Sequence, residues 1–178
     1  MRTLPFIFVI AVVASSCNRS PTAAPAAAPA AVPAAANTKA EEAYTPGLGE
    51  IMTLQQMRHT KLWLAGQANN WDLADYEIKE LGEGFDDVVK FHPTHEESPV
   101  DPKDAIPRMV TAPVNDLKAA IMKKDKKAFQ EGYDALTKAC NDCHQATNFG
   151  FNVVQRTASN PYPNQVFAPK RQEVGGPK

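Results

Sequence analysis

Phe129, Tyr133, Leu136, Cys140 and Cys143 recur at i, i+4, i+7, i+11 and i+14, and His144 follows the second cysteine directly. At helical period this puts three large side chains and two thiols on one stripe, so the thiols belong to the inward face of an amphipathic helix. Three other runs keep the same period. In Leu48 to Ala68, the residues Ile51, Leu54, His59, Leu62 and Ala65 gather on one side, with Met52 and Trp63 at its edge. In Trp71 to Phe91 the stripe is Ala74, Ile78, Leu81, Phe85 and Val88, weakened by Gly82 and Gly84. Ile106, Met109, Val110, Val114, Leu117 and Ile121 form the third run, in which Pro113 either kinks the helix or marks a start near Thr111. A loop rich in proline and acid, "HPTHEESPVDPKD", separates the second pair of helices from the first. Four helices with short connections predict an all-α fold, an antiparallel four-helix bundle. From Asn148 onward the period is lost. Phe151, Val153, Val154, Tyr162 and Phe167 are spread among Pro, Asn and Gly, which reads as an irregular C-terminal strap to about Pro169 and then a frayed end.

The other end of the chain is not expected to belong to this fold. Met1 and Arg2 precede an apolar run from Leu4 to Val13 and the small residues Ala14, Ser15 and Ser16. Residues 1–16 read as a signal peptide, too short for a stable membrane span. Cleavage before Cys17 resembles lipoprotein processing, although Ala14 stands where that motif has leucine; ordinary cleavage after Ser16 also fits. Either route exports the protein, and lipidation of Cys17 would tether it to a membrane in the periplasm. Residues 17–46 read as a linker, since prolines at 21, 25, 29 and 33 interrupt the alanines and favour an extended spacer. Residues 47–178 then form one domain, long enough to bury a core.

Charge excludes one class of partner. With 19 basic and 20 acidic residues the formal net charge is −1, and no basic field points to nucleic acid. No Glu-x-x-His occurs, which argues against a di-iron bundle. Glu77, Glu80, Glu83, Asp86 and Asp87 read as a solvated helix face, and no enzymatic constellation stands out. His92 and His95 read as solvent-exposed turn residues.

Three chemistries compete for Cys140-Asn141-Asp142-Cys143-His144. A zinc site needs four ligands, and no second cysteine pair or spaced histidine pair completes one. A redox dithiol belongs at a helix N-terminus, where the dipole lowers the thiol pKa, and this pair sits near a C-terminus. Covalent attachment of one haem c uses every residue: two thiols on one helix face for the two vinyl groups, and His144 as proximal ligand to the iron. It also matches an exported chain, and leaves Cys17 for lipid.

The arrangement resembles the class II cytochromes c, the cytochrome c-prime family, over about residues 47–151; the likeness rests on Cys140, Cys143, His144 and the spacing of the final helix. The strap departs from that pattern. The resemblance implies one of two functions. In low-spin relatives a methionine near the start of the first helix is the distal ligand, a position that falls on Met52, and the protein carries single electrons to redox partner proteins. In the c-prime type the distal side is apolar and the five-coordinate iron binds nitric oxide or carbon monoxide. The resemblance also implies a possible homodimer through the first two helices. Geometry bears on the distal ligand: Met52 and His59, seven apart, point within about 20° of each other, whereas Met57 points roughly 140° from Met52. His59 lies about 10 Å further along the helix, far for the same iron, and suits a propionate or a buried polar partner.

Overall fold

The computed structural model describes residues 44–170. The signal peptide, Cys17, the linker up to residue 43 and the end from residue 171 lie outside the described residues. Within them the secondary structure is entirely helical, in five helices: α1 (Leu48–Gln67), α2 (Trp71–Phe91), α3 (Pro102–Met109), α4 (Thr111–Met122) and α5 (Lys126–Ala146). No described helix is long and apolar enough to cross a membrane.

Local chemistry sets the boundaries. Asn69 takes a left-handed conformation, φ 56°, which asparagine tolerates, and the next residue caps α2 as the Asn70 side chain accepts from the Leu73 N–H at 3.3 Å. The α4–α5 reversal uses the same device: Lys124 has φ 54°, and Asp125 accepts from the Ala128 N–H at 3.0 Å. The third helical run of the sequence is two helices, broken at Val110. Pro113 is the cause. Its ring would meet the carbonyl of Met109, four residues earlier, so α3 cannot run on, while in the first turn of α4 its missing N–H costs nothing.

α1 packs along α2 and α4 along α5, with α2 also against α3 and α4, and α5 against α1 and α3. Leu62, Ile78, Leu81, Leu117, Phe129, Tyr133 and Leu136 are buried between them. At the end away from the cysteines, Phe129 lies between Trp63, Trp71 and Tyr133, with ring centroids 5.9 to 6.3 Å away. Gly66 makes room for it, since a Cβ there would fall 2.1 Å from the Phe129 ring.

Several positions depart from the apolar pattern. Leu54 is exposed, and its neighbour Gln55 is buried in its place, donating to the Leu81 carbonyl at 2.7 Å. Gly84 admits that amide: a Cβ at Gly84 would stand 2.4 Å from Gln55 Oε1, so this glycine serves close helix contact. Gly82 faces open space. Glu77 is not on a solvated face but 3% exposed, and burial pushes its carboxyl above the usual range while Lys61 and Arg58 pull it down. Glu80, on the same helix, pairs with Arg58 at 2.8 Å.

The strap doubles back along α5. Asn141 bonds Val154, Arg156 pairs with Asp134 while stacking 4.2 Å from the centre of the Trp63 ring, Tyr162 lies under Lys61, and Asn70 donates to the Phe167 carbonyl at 3.0 Å. Val154, Tyr162 and Phe167 are its anchors, whereas Phe151 and Val153 point to solvent.

Candidate functional site

The last two turns of α5 bring Cys140, Cys143 and His144 to the wall of a cleft. Both cysteines are free, Cys143 buried and Cys140 half-buried. The cleft has two adjoining cavities of about 170 and 220 Å³ that share Gly49, Met52, Ile106, Cys143, His144 and Asn152. Cys140, His59 and Val154 line the first, and His95 and Phe149 the second. Its walls are the start of α1, the middle of α2, α3, the end of α5 and the start of the strap. Side chains from four helices thus converge on the cysteine motif, and most of them are apolar, the usual character of a cofactor site.

The thiols are not poised for redox exchange. Burial pushes Cys140 up to about 12, with the neighbouring Cys143 adding to the effect, and Cys143 is also raised by burial against a weaker pull from Arg108. Reactive dithiols need the opposite shift. The described residues gather no set of three or more His, Cys, Asp or Glu side chains able to hold a bare metal ion.

His144 is held by a backbone group. Its Nδ1 faces the Asn152 carbonyl, which can only accept, so Nδ1 carries a proton and in the neutral ring the lone pair is on Nε2. Thr147 closes the helix behind it, its hydroxyl donating to the Cys143 carbonyl at 2.7 Å.

Of the two distal candidates, Met52 is half-buried and lines both cavities, whereas His59 touches only the first. His59 is also already occupied. Thr137 gives its proton to the Tyr133 carbonyl at 2.8 Å, so His59 Nε2 donates to Thr137 Oγ1 at 2.8 Å. On the other side, Tyr133 Oη lies 2.9 Å from Nδ1 and 3.0 Å from the His59 carbonyl, and its one proton is shared between these two acceptors. The ring, 4% exposed and stacked on Tyr133, is a polar rivet between α1 and α5.

Burial lowers the His59 pKa to about 4, against about 6.5 in an unfolded chain. The unfolded state therefore binds the extra proton between these values, and stability falls as pH drops through the window from about 6.5 to 4. The full loss attributable to this ring is about 3 kcal/mol. Urea denaturation across that window is expected to show a slope that His59→Gln flattens; equal slopes in the two proteins would rule the assignment out.

Two residues that bear on the site have no mark in the sequence. Asn152 contributes only a carbonyl, and Asn141 acts on the strap rather than on the cleft. His95 and His92 are half-buried rather than exposed turn residues: the His95 ring meets Phe149 edge-on at 5.5 Å, and His92 Nε2 donates to the Pro46 carbonyl at 2.7 Å. Comparison with protein-family models, curated proteins and solved structures finds no match to this chain.

Proposed function

We propose that this protein is a c-type cytochrome that carries single electrons. The observation that supports it most is the grouping at the end of α5: two protonated free thiols on one helix face, with His144 beside them offering a bare Nε2 to a mostly apolar cleft that Met52 also lines. These residues fit a covalently held haem. Cys140 and Cys143 would form the thioethers, His144 the proximal bond and Met52 the distal one; the bound group supplies an iron that cycles between ferric and ferrous. The chain's own part is to fix the two iron ligands on different helices, keep water out with Phe85, Ile106 and Val110, and raise the ferrous preference through the thioether.

In this reading the fold is a four-helix bundle whose third member is α3 and α4 together, with the strap as an added cover. The N-terminal residues read as an export signal, the Ala/Pro spacer and Cys17 support a periplasmic domain on a lipid tether that delivers electrons to redox partner proteins.

The deciding measurement is the optical spectrum of the matured protein, ferric and ferrous, with and without carbon monoxide. Low-spin spectra indifferent to carbon monoxide, with a sulfur-to-iron charge-transfer band lost in Met52→Ala, are expected. A high-spin spectrum that shifts at once with carbon monoxide would remove Met52 from the iron and turn the function to binding of nitric oxide or carbon monoxide.

A further inference from the structure

Asn141, between the two cysteines, lies one residue off the inward stripe and is half-buried. Its amide does something no apolar residue could do there. Nδ2 donates to the Val154 carbonyl at 2.9 Å and Oδ1 accepts from the Val154 N–H at 2.9 Å, so one side chain satisfies both backbone groups of a strap residue. Two residues before Val154 is Asn152, whose carbonyl holds His144. The near end of this segment is fixed separately, by the Phe149 N–H on the His144 carbonyl at 2.7 Å and the Asn152 N–H on the Phe149 carbonyl at 2.8 Å. The His144 contact is therefore suspended between two clamps, and Asn141 is the far one. Beyond it the next restraint is Arg156, two residues on, which pairs with Asp134 through two hydrogen bonds and stacks on the Trp63 ring.

We propose that Asn141 is a positioning residue for His144: by clamping Val154 it sets the Asn152 carbonyl on Nδ1 and so fixes both the tautomer and the orientation of the imidazole. The proposal rests on the cytochrome reading for its consequence, since a hydrogen bond to Nδ1 makes Nε2 a more basic ligand and favours the ferric state. The geometry itself belongs to the chain alone. A merely structural asparagine would stabilise the strap without governing the histidine tautomer.

The test uses the full chain, haem-free and haem-loaded. Without haem, nitrogen-15 NMR of the imidazole is expected to show His144 as the Nδ1–H tautomer in the wild type and as a mixture of tautomers in Asn141→Ala, with the Val154 amide exchanging roughly tenfold faster or more. With haem, the midpoint potential of Asn141→Ala is expected to rise. Should Asn141→Ala lose helix content, Val154→Pro, which removes the N–H from outside any helix, is expected to give the same tautomer mixture. An Nε2–H tautomer in the wild type, or a variant whose tautomer stays fixed while the strap loosens, would overturn the proposal. A wild type that retains no haem would remove the cytochrome reading, and the haem-free tautomer and exchange data would still decide this one.

Discussion

Replacing both Cys140 and Cys143 by alanine is expected to abolish covalently held haem, with the fold intact. Wild-type protein matured in a host that attaches haem outside the cytoplasm is expected to gain the mass of one haem, retained through denaturing electrophoresis. The double variant should gain none, because each thioether needs a sulfur at that position and no other described cysteine exists. The variant should still fold, since a buried free cysteine packs like a small hydrophobe and alanine leaves only a small gap. Helix content by circular dichroism separates the two effects. Haem mass retained by the double variant would sink the cytochrome assignment; an unmodified wild type would do so equally.

The largest loss of stability is expected from Phe129→Ala. The ring is 0% exposed and touches aromatic residues of α1, α2 and α5. Truncating a buried phenylalanine costs about 3–5 kcal/mol, a large share of the roughly 5–15 kcal/mol that holds a domain together. Phe129 lines neither cavity of the cleft, so haem retention should persist at temperatures where the variant is folded. Gly66 offers an internal check. Gly66→Ala should destabilise the wild type, because its methyl would collide with the ring, and should cost far less in the Phe129→Ala background, where the methyl enters the vacated space. Simple additivity of the two in denaturant melts would contradict the packing described.

The helices were legible where their causes are local. α1, α2 and α5 follow the apolar period, α1 and α2 begin where the pattern does while α5 starts three residues before Phe129, and Pro113 announces the break before α4. What the pattern misplaced was decided by partners distant in sequence. Gln55 is buried instead of Leu54 because a carbonyl on α2 and the bare backbone of Gly84 receive its amide. Glu77 is buried because α1 and the strap close over it, and nothing in its own helix says so. The cysteine pair and His144 stand out because their chemistry fixes their spacing, and Met52 could be placed because a helix start lies opposite a helix end. The Asn152 carbonyl could not be, since any residue can present a carbonyl and only the path of the strap selects this one.

The strap also sets an order of assembly. Its final tether joins Asn70 to Phe167, 97 residues apart, whereas each helix closes bonds only a few residues long. Long closures cost more chain entropy and form late. The Asn152 and Val154 contacts, only 8 and 13 residues from their partners, are therefore expected to form early, and the far strap around Phe167 to dock last, an order that pulse-labelled hydrogen exchange at the Val154 amide and in the Phe167 region would time. The last step of folding thus falls at Asn70, just beyond the C-terminal end of α1, so the cysteine end of the molecule is expected to be complete before the strap is.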